Sequence, residues 1–474
     1  MPSMDYENLR QQHAAQYAVR LPEHLERLTW SQERLRAERE RGLRALLGVA
    51  KERSPWHAER LAHIDPRRVR ESDLASIPPM TKDDLMRNFN ELLTDRALSR
   101  DMAEAHLDGL TEDAYLLDHY HVVASGGSSG MRGVFLFDWD AWLACAVTMQ
   151  RFGTRAQRAH SGIRPDAVRA VIAGGKASHM SYAQMNTFGR NMGMVHVPAT
   201  LPIREIVARL NALQPAIISG YPSIIFSLAS EADAGRLKVA PGMVMCGSEP
   251  LLPEMRALIE KVWCVRVLNR YLTSEGASAS DCGEGRGMHL NEDVCIFEPV
   301  DEEGRPVAAG QRAAKLYVTP LFNHAQPLIR YELTDEVTLI DDVCPCGSAM
   351  RLIDDIGGRS DDTFTYAGGV VVHPMAFRSP LGRERNIIEY QVRQTEHGAA
   401  IELRREGQVD LDALRRAIEY ELRTLGVLDP QITIRVVEGF DRQATGKLRR
   451  FFPLEAKACA TRGRSRFAKL VDRL

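Results

Sequence analysis

Long apolar runs are missing from this 474-residue chain. The longest, at 216–219 and 224–229, fall far short of the ~20 residues that a bilayer-spanning helix needs. The first ten residues are polar and hold no apolar signal core, so the chain reads as cytoplasmic, with no membrane partner. A surplus of one charge is missing too. Lys and Arg total 61 against 63 Asp and Glu, a net charge of -2, and nothing favours nucleic acid as a partner. Cysteine is sparse. Eight in a chain this long do not make a disulfide framework. Internal repeats and low-complexity stretches are also absent, which excludes a solenoid.

What remains is ordinary soluble composition, 44% hydrophobic and 26% charged, at a length that suits two or three domains. Residues 1–60 predict a helical lead-in, with Leu25, Leu28, Leu35, Leu43, Leu46 and Leu47 at roughly helical spacing. Thr81, followed by Asp83 and Asp84, predicts a helix start. Between 122 and 280, short apolar runs (167–173, 216–219, 243–246, 265–268) alternate with amphipathic stretches (203–213, 253–263). That alternation predicts a parallel sheet covered by helices, with ligands at the carboxyl ends of its strands. From 290 to 345 the pattern becomes strands and turns, predicting a small antiparallel layer or barrel. The polar run Gly357-Gly358-Arg359-Ser360-Asp361-Asp362 marks a boundary. Beyond it, strands at 387–392, 400–404 and 432–437 and a helical stripe of Leu411, Leu414, Ile418, Leu422 and Leu425 predict a compact α+β unit. The fold class is therefore α/β: a large domain over 1–358 and a small α+β domain over 359–474.

Several turns carry chemistry. Ser125-Gly126-Gly127-Ser128-Ser129-Gly130 lies between two apolar runs, where glycines let amides turn inward and hydroxyls can donate to phosphate oxygens. Met245-Cys246-Gly247-Ser248-Glu249-Pro250 and Tyr271-Leu272-Thr273-Ser274-Glu275-Gly276 each close a predicted strand. Arg330-Tyr331-Glu332-Leu333-Thr334-Asp335 and the boundary run follow, and Thr445-Gly446-Lys447 opens a basic stretch near the end. In this order the segments resemble the adenylate-forming enzymes, specifically the phenylacetate–CoA ligase-like branch, over nearly the whole chain. The resemblance implies ATP-dependent activation of a carboxylic acid, aromatic by default, as an acyl-adenylate, then transfer to a thiol, most simply CoA. It assigns Ser125, Ser128, Ser129 and Gly130 to the ATP phosphates, and Ser248, Glu249 and Pro250 to the adenine. Tyr271 stacks on the base, Thr273 touches phosphate and Glu275 holds Mg²⁺, a hard cation suited to carboxylate and phosphate oxygens. Asp335 takes the ribose hydroxyls, Arg359 contacts the nucleotide, Asp361 is the hinge of a C-terminal lid, and Lys447 bridges carboxylate and α-phosphate. Tyr221 and His179 line the acyl site. The phosphate turn departs from the family: Met131-Arg132 stands where Lys-Pro usually follows, and a guanidinium is not an ammonium.

Three of the cysteines, Cys282, Cys344 and Cys346, stand in polar turn sequence, and with His289 they suit tetrahedral structural zinc stapling two loops beside the active site. Some relatives carry a comparable site. Cys145, Cys246, Cys264 and Cys295 lie in apolar runs and read as buried small hydrophobes. Three alternatives stay open: an amine or a carrier protein as acyl acceptor in place of CoA, and a non-catalytic nucleotide-binding relative. A monomer and a homodimer are both compatible with the sequence.

Overall fold

The computed structural model describes residues 4–454 apart from 126–131, 161, 165, 200, 250, 252, 355–363, 373–374, 385, 406 and 441–450. The predicted site residues Ser128, Ser129, Gly130, Pro250, Arg359, Asp361 and Lys447, and the 358/359 boundary, lie outside the described residues.

The chain opens with helices α1 (Met4–Glu26), α2 (Gln32–Arg53) and α3 (Pro55–Arg60), followed by α4 (Lys82–Arg87), α5 (Phe89–Leu92) and α6 (Arg100–Gly109). Helix α4 starts where predicted: Thr81 Oγ1 accepts from Asp84 N–H at 3.1 Å, and Asp84 Oδ2 accepts from Thr81 N–H at 2.8 Å. This reciprocal cap satisfies two helix-start donors, worth ~1 kcal/mol. Strands β1 (His121–Ala124) and β2 (Val134–Phe137) pair antiparallel around the Ser/Gly turn. The outer edge of β2 is closed by side chains, Leu136 N–H donating to Gln326 Oε1 at 3.0 Å and Asn323 Nδ2 donating to Leu136 O at 2.8 Å.

Next come α7 (Trp139–Ala159), β3 (Arg169–Ala173), α8 (Met180–Phe188), β4 (Met194–Pro198), α9 (Ile203–Leu213), β5 (Ile217–Gly220), α10 (Pro222–Asp233), β6 (Met243–Gly247), α11 (Pro253–Trp263) and β7 (Val267–Leu272). The five strands run parallel in the order β4-β3-β5-β6-β7. Their burial explains the register. Ile172, Ile218, Val244 and Val267 sit at 0% exposure against α9–α11, and a one-residue slip would turn each to the other face.

Strands β8 (Ser278–Ser280), β9 (Met288–Leu290), β10 (Cys295–Val300), β11 (Arg312–Ala313), β12 (Lys315–Pro320), β13 (Tyr331–Leu333), β14 (Val337–Ile340) and β15 (Leu352–Ile353) complete this part. The antiparallel layer expected over 290–345 is present as β10-β12-β13, but β8, β9, β15, β14 and β11 instead extend the parallel set into one mixed ten-stranded sheet. Alternating side chains show that a strand has two faces and do not name its partner, which long-range pairing selects.

A second apolar cluster is built wholly from residues 364–451. It comprises β16 (Phe364–Tyr366), β17 (Val370–Val372), α12 (Met375–Arg383), β18 (Ile387–Thr395), β19 (Gly398–Arg405), α13 (Leu411–Thr424), β20 (Gln431–Val436) and β21 (Phe451–Phe452). Leu414, Ile418 and Leu422 form the buried stripe of α13, where truncating one Leu to Ala costs about 2–5 kcal/mol. One cysteine reading is corrected. Cys264 is exposed and has φ +53, because it is the residue that turns α11 back into β7. Among the described residues, no helix is long and apolar enough to cross a membrane.

Candidate nucleotide and acyl site

Parallel pairing aligns the carboxyl ends of four strands on one sheet edge, since Ile172 is level with Gly220, Gly220 with Cys246, and Gly247 with Arg270. The turns that follow these strands, at Gly174, Tyr221, Ser248 and Thr273, therefore open onto one crevice.

At its right-hand end β7 and β8 form a hairpin closed by Thr273–Ala277. Thr273 N–H donates to Ala277 O, and the Thr273 hydroxyl accepts from Ala277 N–H and donates to Ala277 O, all at 3.1 Å. The predicted phosphate contact is thus also the lock of its own turn. Gly276 has φ +95, and a Cβ there would meet Phe322 Cζ at 2.9 Å, so the turn requires glycine. Glu275 is 6% exposed. Burial pushes its carboxyl pKa up, the Lys82 ammonium draws it down, and Asp335 adds to the rise. Tyr271 Oη donates to Asp335 Oδ2 at 2.9 Å. Tyr271, Thr273, Glu275 and Asp335, 64 residues apart at their extremes, are one cluster.

Lys82 is the member that the sequence reading missed, because Thr81-Lys82 looked like a helix start and nothing more. Its position comes from a short backbone ladder. Met80 N–H donates to Arg330 O at 3.0 Å and Glu332 N–H to Met80 O at 2.9 Å. The Arg330 guanidinium, ion-paired to Glu298 at 3.1 Å, also donates to Ile77 O at 2.6 Å. Arg330 itself holds φ +53. The signal available in sequence was a lysine directly behind a cap, in a segment with Met80 as a buried anchor.

Ser248 takes φ +68 at the end of β6. A non-glycine residue in the left-handed region costs ~1 kcal/mol or more, and the strain sits where the family resemblance puts the adenine. Glu249 is half-buried beside it. At the other end of the crevice, Gly174 N–H donates to Tyr221 Oη at 3.1 Å, joining the turns after β3 and β5. His179 stands at the N-terminal boundary of α8 in the same turn, with no capping bond from its side chain. Burial, then Lys176, Arg132 and Arg383, push its imidazole down to about 4, so it is neutral at pH 7. Ser125 closes the stem of the Ser/Gly turn: its N–H donates to Gly133 O at 2.9 Å and its Oγ accepts from Gly133 N–H at 3.0 Å. Arg132 lies 3.6 Å from Asp108.

Cys282, His289, Cys344 and Cys346 are all buried, and their ligand atoms lie within 4.8 Å of one another. Cys282 Sγ is 3.5 Å from Cys344 Sγ, and Cys346 Sγ is 3.3 Å from His289 Nε2. His289 Nδ1 lies 3.0 Å from Met350 O. That bond fixes the proton on Nδ1 and leaves Nε2 for a metal. Backbone N–H groups of Glu284 and Ser348 point at the Cys282 and Cys346 sulfurs, at 3.5 and 3.4 Å. Three sulfurs and an imidazole at this spacing fit tetrahedral zinc. The expected place is corrected, however. Strand β8 runs away from the Glu275 turn, so the cluster stands at the far end of the β7–β8 hairpin, roughly 15 Å along it at ~3.3 Å per residue.

No family model matches the chain. A phenylacetate-coenzyme A ligase of Thermus thermophilus is 27% identical over 401 residues, covering 81% of each chain. Protein CapK of Staphylococcus aureus is 20% identical and covers 76% of each. Among solved structures, 2-hydroxyisobutyryl-CoA ligase with 2-HIB-AMP and CoA in the thioesterification state matches at TM-score 0.58, with 20% identity over 90% of this chain and 91% of that one. Its postadenylation state matches at 0.55 and 18% identity, with the same coverage. The chain is thus similar in sequence to a phenylacetate-coenzyme A ligase and similar in fold to 2-hydroxyisobutyryl-CoA ligase. The mixed sheet and the separate C-terminal cluster are a fold shared with that solved ligase.

Proposed function

We propose that this protein is an adenylate-forming enzyme that couples ATP cleavage to AMP and pyrophosphate with formation of an acyl thioester, CoA being the acceptor and an aromatic acid the substrate. The observation that carries the reading is the joining of Tyr271, Thr273, Glu275 and Asp335, with Lys82, at the carboxyl edge of a parallel sheet. Support also comes from a relative named as a CoA ligase that aligns over 81% of each chain.

In the first step the acid's carboxylate attacks the α-phosphorus of ATP and pyrophosphate leaves. In the second, a thiol attacks the acyl carbon and AMP leaves. Asp335 accepts from the ribose hydroxyls, and Tyr271, held by Asp335, presents its ring to the base. The hydroxyls of Ser125, Ser128 and Ser129 and the Lys82 ammonium take phosphate charge. Glu275 would hold Mg²⁺, which neutralises charge on the phosphates. Its burial among Lys82 and Asp335 suits a carboxylate awaiting a cation. Lys447 stabilises charge developing at the α-phosphate, and residues 359–474 act as a lid hinged at Asp361, so one crevice serves both steps. Tyr221 and neutral His179 flank the acid. Cys282, His289, Cys344 and Cys346 would hold zinc, which would brace the hairpin that carries Glu275.

The test is a pyrophosphate-release screen over aromatic and aliphatic acids, repeated with CoA, free amines and holo-carrier protein. Acid-dependent release with CoA-dependent thioester is the expected result. Release without thioester, but with amide or carrier acylation, moves the acceptor. No release with any acid refutes the reading.

A further inference from the structure

The turn after β3 contains a lysine that the reading above leaves without a role. Ala124 N–H donates to Ser178 O at 2.8 Å, tying this turn to the last residue of β1. The next residue, Ser125, is bonded to Gly133 in both directions, which sets Arg132 beside the same turn. His179 N–H donates to Lys176 O at 2.9 Å, so Lys176 and His179 are folded together. The Lys176 ammonium hydrogen-bonds Ser379 Oγ on α12, and Arg383 stands one helical turn beyond Ser379. Three cations, Lys176, Arg132 and Arg383, thus meet a neutral imidazole at the stem of the Ser/Gly turn. Two carboxylates face them: Asp108 at Arg132, and Glu421, whose charge reaches Lys176. Burial and then Arg383 push the Lys176 pKa down to about 8, with Arg132 adding to the fall. The group is crowded by positive charge and remains mainly protonated at pH 7.

We propose that Lys176 binds the outer phosphates of ATP, supplying from a neighbouring turn the ammonium that Met131-Arg132 leaves out of the Ser/Gly turn. The inference rests on the ATP reading above and names the residue that completes it. The chemistry is that of a compact, strongly hydrated point charge on a long flexible stem. Arg132, already at Asp108, has a partner to leave before it could serve. Lys176 has only to exchange a neutral hydroxyl, Ser379, for a phosphate oxygen, and a charge-assisted bond is roughly twice as strong as a neutral one.

The probe is ATP itself, with calorimetric binding in the absence of any acid and ATP–pyrophosphate exchange in its presence. Lys176→Met keeps the stem and removes the charge. It should weaken ATP binding, and raise the KM for ATP and for pyrophosphate, by roughly tenfold to a hundredfold, as for loss of a hydrogen bond to a charged group. The KM for the acid should stay put, which also reports an intact fold. Lys176→Arg should recover part of the loss, and Ser379→Ala should leave ATP binding equal or tighter. Unchanged ATP and pyrophosphate constants in Lys176→Met overturn the inference. So does a rise confined to the KM for CoA, which would assign the lysine to that substrate's phosphates. Wild-type protein that binds no ATP refutes the ATP reading instead, and this inference with it.

Discussion

Replacing Arg151 by Met should destabilise the protein by about 3 kcal/mol at pH 7, and most of the loss should vanish when its carboxylate partner is neutralised. Arg151 and Asp293 have side chains at 0% exposure. The guanidinium donates to Asp293 at 2.8 and 2.5 Å and to Asn291 Oδ1 at 2.9 and 2.7 Å. Removing one partner of such a pair costs about 3–5 kcal/mol, because a buried charge is left uncompensated. Arg27, 3.5 Å from Asp293, remains in the variant, which selects the lower end. An unfolding entropy near 2.1 cal/mol/K per residue gives roughly 0.7 kcal/mol/K for the larger unit, so 3 kcal/mol lowers Tm by about 4 °C. Burial opposes ionisation of Asp293, and Arg151 overcomes it, holding the carboxyl below its ordinary range. In the wild type this stability is present above the unfolded pKa and lost as pH falls through the folded value. In Arg151→Met the folded pKa is raised instead, so the native state takes up a proton first, and the gap from wild type narrows as pH falls from 7 toward about 4. The assay is thermal unfolding of wild type, Arg151→Met and Arg151→Met/Asp293→Asn at both ends of that range. A double variant as unstable as the single one, or a gap that widens on acidification, refutes the argument. The network also bears on the site, since Asn291 Nδ2 donates to Ser278 Oγ at 2.8 Å at the foot of the Glu275 hairpin.

Lys82→Met should raise the KM for ATP by about tenfold or more, through the loss of one charge-assisted contact, with little change in Tm; steady-state kinetics at fixed acid checks this. Lys447→Ala should lower pyrophosphate release by about a hundredfold or more while calorimetric ATP binding is retained, and normal release would remove its role. Purified protein should hold one zinc per chain by metal analysis. Cys282→Ser should lose the metal and Tm with a far smaller effect on kcat, because the cluster braces the hairpin from its far end; a metal-free wild type would remove zinc altogether.

Local pattern settled much of this protein. The Thr81 cap, the stripe Leu414–Ile418–Leu422 and the apolar runs that became β3, β5, β6 and β7 are set by neighbours within a few residues, and period and capping chemistry are legible at that range. The motif turns were legible for the same reason, as glycines, hydroxyls and carboxylates at strand ends. Partners tens to hundreds of positions apart were not. Only the folded sheet joined Met80 to Arg330 and so set Lys82 beside Glu275, bonded Ala124 to Ser178 and so gave Lys176 a neighbourhood, and sent β8 away from the Glu275 turn, carrying Cys282 to the far end of the hairpin. Pairing of this kind is decided by which buried edges and charges fit once the chain has collapsed, a competition among distant segments that leaves no period in the sequence.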